Sequence, residues 1–176
     1  MRPLTAPIKD QITHMLFSNE EMRNLIIGDT LRYLGSWSPA MEILLLGTAA
    51  QESGYGEHLK TGRLLGIYQI SAATHRKIWD KFLIQHPELA SQVRGLASQR
   101  GFLENPHAEL VSNLKYATAI AWLIYERCGK PLPQDATLEE LATFWHRHFH
   151  AKARGSEEDF IRNYKMWVSG EKSLAA

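Results

Sequence analysis

The chain has 176 residues, 44% of them hydrophobic and 22% charged, ordinary values for a globule with a real core. A net charge of +1 excludes the broad basic field expected of a nucleic-acid binder, and the single cysteine, Cys128, excludes an intrachain disulfide and a cysteine metal cluster. No stretch approaches the ~20 apolar residues of a membrane span, and residues 1–10 lack the apolar core of a signal peptide.

In chain order, Ile8, Ile12, Met15 and Leu16 fall near one face of a short helix over residues 8–17. Ser18-Asn19-Glu20-Glu21 has the form of a capping box and opens a helix that runs to about Leu34 and stops at Gly35. Ser38-Pro39, an N-cap followed by proline in the first turn, starts the next helix. That helix carries Glu52 and breaks at Ser53-Gly54-Tyr55-Gly56. Residues 54–66 include Gly54, Gly56, Gly62 and Gly66 and predict a loop or short irregular hairpin, suited to one wall of a cleft.

Residues 71–75 open a helix that passes Trp79, Phe82 and Leu83 and ends at His86-Pro87; a further short helix spans 87–99, and 101–106 reads as a turn. From Ala108 to Cys128 the pattern is apolar nearly all round, through Leu110, Val111, Leu114, Ala117, Ala121, Trp122 and Ile124, which predicts a single buried central helix. Trp79, Trp122 and Cys128 read as core. Residues 129–133 stop that helix, and Thr137-Leu138-Glu139-Glu140 is another capping box. Leu138, Leu141, Ala142, Trp145 and Phe149 follow at helical spacing, and a last helix over 156–168 presents Phe160, Ile161, Tyr164, Trp167 and Val168. The expected fold class is all-α, or α-dominated, in one domain: N-terminal helices over 1–35, a core over 36–170 and a frayed tail over 171–176.

Glu52 is the conspicuous chemical group. In a helix over 39–52, Leu45, Thr48 and Ala49 lie on its own face, and none of them brings a charge to pair with a carboxylate. Apolar neighbours and the negative end of the helix both disfavour its charged form, as a general acid near neutral pH requires. The spacing suits equally an ordinary exposed glutamate beside a turn.

Two blocks, Glu52-Ser53 and Gly66-Ile67-Tyr68-Gln69, stand in the order and at nearly the spacing of the pattern Glu-Ser … Gly-Leu-Met-Gln. In this the chain resembles the lytic transglycosylases of the soluble, goose-lysozyme-like family, phage-type domains among them. The resemblance implies a lysozyme-like fold with a short irregular or hairpin segment after the catalytic helix. It implies that Glu52 is the catalytic acid/base, that Tyr68 and Gln69 line the sugar groove, and that Ser53 orients the acid or touches sugar. Tyr55, beside the motif, is a further candidate to touch substrate. The implied partner is the peptidoglycan glycan strand, with other virion proteins beside it. Neither cofactor nor metal is called for. With no export signal in view, delivery in a phage particle, or synthesis in a host cytoplasm followed by passage to the wall, is the expected setting.

The family also has a Tyr-Asn late in the chain whose tyrosine lies against the acid. Here the corresponding stretch is Phe144-Trp145-His146-Arg147-His148-Phe149-His150. Phe149-His150 is the best positional match and Trp145-His146 the second, so the ring is kept and the hydroxyl lost; Tyr164 is a substitute source of one. His146 and His150 are four apart, a spacing able to hold zinc, although no His-Glu-x-x-His or cysteine accompanies them. The alternative for these histidines is a solvated or groove-lining set that bonds acetamido groups. For a two-carboxylate hydrolase the second acid would be Glu57, Asp80 or Glu104, with Glu57 best placed. A fold kept for structure or wall binding, with little catalysis, is the competing function.

Overall fold

The computed structural model describes residues 18–170. The helix expected over 8–17 and the tail over 171–176 lie outside the described residues. Helices carry most of the described chain, and strand is confined to three two-residue segments.

The first helix, α1, covers residues 19–33. It starts as Asn19–Glu21, widens into a π-helical stretch over Met22–Gly28 and closes as Asp29–Tyr33. Its capping box is formed as expected: Ser18 Oγ accepts from the Glu21 amide, and the Glu21 carboxylate accepts from the Ser18 amide. Helix α2, Pro39–Ser53, is capped by Ser38, whose hydroxyl accepts from the Met41 amide. Gly54 ends it in the left-handed conformation (φ 57°, ψ 44°), which a glycine adopts without steric cost.

The glycine-punctuated segment is a small antiparallel sheet. Strand β1, Lys60–Thr61, turns at Gly62-Arg63 into β2, Leu64–Leu65, and β2 pairs in turn with β3, Ile70–Ser71. Helix α3 covers 72–82, as Ala72–Lys77 continued by a π-helical Ile78–Phe82, with a 3-10 turn at Leu83–Gln85 behind it. Helix α4 is Pro87–Leu96. Helix α5, Gln99–Glu104, occupies the stretch expected as a turn over 101–106. The glycine at 101 did not prevent it, because Ser98 and Asn113 bring in the Glu109 carboxylate to tie the start of α5 down.

The uninterrupted helix expected from Ala108 to Cys128 is also corrected. It is a 3-10 turn at Pro106–Ala108, a short α6, Glu109–Ser112, and then α7, Leu114–Glu126. Asn113 makes the break. Its backbone is extended (φ −122°, ψ 96°), its Oδ1 accepts from the Tyr116 amide, and its Nδ2 donates to Leu96 O and to Glu109. An asparagine that finds backbone partners this good leaves the helix and caps the next one. The expected burial holds for α7, where every residue from Tyr116 to Tyr125 is buried. Helices α8, Leu138–His148, and α9, Glu157–Trp167, begin at capping boxes on Thr137 and Ser156.

The buried apolar side chains form one connected cluster. Helix α2 lies inside it, with Leu44, Leu45, Leu46 and Ala49 wholly enclosed. Gly47 lets α9 close on α2, since a Cβ there would come within 2.3 Å of Phe160 Cζ. So α1, α7, α8 and α9 all pack around the helix that ends in Glu52. No helix among the described residues is long and apolar enough to cross a membrane.

Candidate functional site

Because most of α2 is buried, its C-terminal turn delivers the Glu52 side chain into the protein. The Glu52 side chain is 1% exposed. It is not alone there. Trp145 Nε1–H donates to Oε1 at 2.9 Å, and His150 Nε2 lies 3.0 Å from Oε2. As expected, its own helix face supplies no partner; both come from α8 and the turn that follows it.

Trp145 sits on the buried face of α8, stacked on Phe160 with ring centroids 5.3 Å apart. A buried indole has one donor and needs one acceptor, so packing and polarity agree on Glu52. His150 stands just past the end of α8, with its side chain 16% exposed, and covers the acid from the solvent side. With Glu52 ionised, His150 Nε2 carries the hydrogen. With Glu52 protonated, the acid donates and the imidazole accepts.

The segment after Glu52 is tied down by the remaining motif residues. Ser53 is buried; its hydroxyl donates to Ile67 O at 2.6 Å and accepts from the Gly56 amide at 2.8 Å, which fastens the end of α2 to the sheet segment. Gly66 (φ 75°) passes directly against the chain at Leu110, where a Cβ would fall 1.8 Å from the carbonyl oxygen. Gln69 is wholly buried. Its Nε2 donates to Gly66 O at 2.8 Å and to His58 O at 3.1 Å, while its Oε1 has no hydrogen-bond partner. Tyr68 is wholly buried too, and its hydroxyl meets Thr118 Oγ1 at 3.0 Å. Since Thr118 donates to Leu114 O, the Tyr68 hydroxyl is the donor in that pair. Burial pushes the Tyr68 phenol well up. Sequence reading put Tyr68 and Gln69 on the substrate; in this structure both are turned into the protein and hold the loop.

Tyr55 is likewise buried, and its hydroxyl has no partner. Tyr55 (φ 58°) and Gln69 (φ 49°) are the two non-glycine residues in the left-handed region among the described residues. Each such conformation costs of order 1–3 kcal/mol, and both lie in the segment that frames Glu52.

Phe149 is buried and packs on Tyr125, with centroids 5.4 Å apart. The Tyr125 hydroxyl donates to Thr48 Oγ1, one turn before Glu52 on α2. Tyr164 does not supply a hydroxyl to the acid: it lies beside Arg23, and burial raises its phenol. Glu57 is exposed and lies over Gly54, outside the Trp145–His150 enclosure. His146 is exposed on α8 while His150 turns to Glu52, so the two do not share a face as the zinc spacing requires. Of the two positional matches to the Tyr-Asn pair, each contributes one residue to the acid: Trp145 from the second and His150 from the first, while Phe149 packs elsewhere.

Comparison with protein-family models, with curated proteins and with solved structures gives no match for this chain.

Proposed function

We propose that the protein is a peptidoglycan-cleaving lytic transglycosylase with a lysozyme-like fold, in which Glu52 is the general acid/base for the β-1,4 bond between N-acetylmuramic acid and N-acetylglucosamine. The observation that carries the reading is the dry carboxyl at the end of α2, gripped at Oε1 by Trp145 and covered at Oε2 by His150. The Glu-Ser and Gly-Ile-Tyr-Gln blocks support it, because both converge on the segment that frames this acid.

The chemistry follows from the enclosure. Protonated Glu52 gives its proton from Oε2 to the glycosidic oxygen as the C1–O bond breaks, and Trp145 N–H steadies the carboxylate that forms. The substrate's acetamido oxygen stabilises the electron-poor C1. The sugar's own 6-hydroxyl then bonds to C1, its proton returns to Glu52, and a 1,6-anhydro ring closes. No second carboxylate is required, in keeping with the exposed position of Glu57. Because His150 covers Oε2, the imidazole swings aside for the substrate to reach the acid. We place the activity in a phage particle acting on the host wall.

A second reading, a virion component that keeps the fold and binds wall with little cleavage, draws on the same enclosure, since both Glu52 oxygens are engaged. Zymography on peptidoglycan separates the two. The wild type should clear, and Glu52→Gln of equal thermal stability should not. Clearing by neither would leave the second reading, and clearing by both would remove Glu52 from the mechanism.

A further inference from the structure

We propose that the groove between α2 and α7, which opens at the end of α2 opposite Glu52, is a second glycan-binding site that takes a β-1,4-linked N-acetylated oligosaccharide on Trp37. The choice of ligand class rests on the glycan substrate proposed above; the groove itself does not depend on cleavage.

The groove encloses about 530 Å3 and is lined by Trp37, Trp122, Tyr125, Glu126, Lys130 and Phe144, among others. It opens beside the N-terminus of α2, where Met41 also lines it. Met41 and Glu52 are eleven residues apart on that helix, about 16 Å at its rise per residue.

Trp37 is 43% exposed, yet it is held in place. Its Nε1–H donates to Glu42 Oε2 at 2.7 Å, and the Arg32 guanidinium lies over the ring at 5.3 Å from its centroid. Glu42 is largely buried and lies 3.5 Å from Arg23. A buried carboxylate and two arginines thus fix an indole that remains open to solvent. The bond satisfies the largely buried Glu42 carboxylate, and its by-product is an open indole platform that loses no freedom when a ligand binds.

The other walls select the ligand's chemistry. Trp122 and Tyr125 are buried and form the floor; the accessible walls are Trp37, the half-buried Phe144, and Glu126 and Lys130, which bring opposite charges. That balance disfavours a strongly charged ligand. It favours a neutral one with an apolar ring face for the indole, hydroxyls for Glu126 and Lys130, and an acetamido methyl for Phe144. An N-acetylated glycan has all three.

The test uses the full chain carrying Glu52→Gln, so that nothing is cleaved, titrated with the β-1,4 tetramer of N-acetylglucosamine. Indole N–H resonances are followed by NMR, and affinity is followed by calorimetry. The Trp37 resonance, identified by its loss in Trp37→Phe, should shift saturably. Affinity should fall about tenfold in Trp37→Ala, the scale of one lost aromatic contact, and less in Trp37→Phe. A shift at Trp145 with none at Trp37, or unchanged affinity in Trp37→Ala, would overturn the proposal. So would a shift at Trp37 caused by a free wall stem peptide and not by the sugar. Saturable binding at Trp37 in a protein that clears no wall would sustain this groove while removing the enzymatic reading; clearing without a Trp37 shift would do the reverse.

Discussion

Trp145 and Glu52 are 93 residues apart in the chain and 2.9 Å apart at their polar atoms. Trp145→Phe keeps a ring against Phe160 and deletes the donor, so Oε1 is left buried with no partner. The expected cost is about 1–3 kcal/mol of stability, read by thermal or urea unfolding, together with a lower kcat and little change in KM, since the bond matters most when the carboxylate forms. Unchanged unfolding and kinetics would show that the indole is only a filler. Glu52→Gln keeps the size and an acceptor oxygen, and it should cost about 10²–10⁴ in cleavage rate if the acid transfers the proton. His150→Ala should be milder than Glu52→Gln, because Trp145 still holds the acid once its cover is gone. The sequence offered Trp145 only as the second match to the residue that lies against the acid, and gave no reason to prefer it over Phe149. Periodicity marks Trp145 as inward-facing, but what an inward-facing indole meets depends on how α8 crosses α2.

Elements were more legible than contacts. Ser18, Ser38 and Thr137 announce helix starts through local chemistry, and each forms the cap its sequence predicts. The break at Asn113 was hidden because the apolar pattern runs straight across it, and only the tertiary partners Leu96 and Glu109 make leaving the helix favourable. The four-glycine segment was readable as a hairpin, but the reason for Gly66 was not. It is the backbone of Leu110, distant in sequence, that forbids a side chain there. Gly66→Ala combines that clash with a positive φ and should destabilise by about 2–4 kcal/mol. It should also speed hydrogen exchange at the amides of Gly66 and Gln69, which are bonded to Leu59 and Gly66 carbonyls. Normal stability with normal protection would contradict the close approach.

Across the whole molecule, pH should act through a buried histidine, His75, and its half-buried partner His107. His75 is 1% exposed; its Nδ1 meets His107 Nδ1 at 2.8 Å and its Nε2 meets the Tyr116 hydroxyl at 2.6 Å, which also accepts from Trp79 Nε1. Burial, and next the neighbouring His107, lower the His75 pKa from 6.5 to about 4. The unfolded chain binds a proton at this residue near pH 6.5 while the folded chain refuses it until about pH 4. Stability should thus be level above about pH 6.5 and decline as pH falls from there towards 4, by roughly 2–3 kcal/mol from this residue. His107 is lowered in the same direction. A melting temperature flat across that window would contradict the neutral pair. The enzymatic claim itself is tested most directly by mass spectrometry of sacculi digested with the purified chain. The wild type should release muropeptides ending in 1,6-anhydro-N-acetylmuramic acid, and Glu52→Gln should release none; reducing ends from the wild type, or anhydro ends from both, would contradict it.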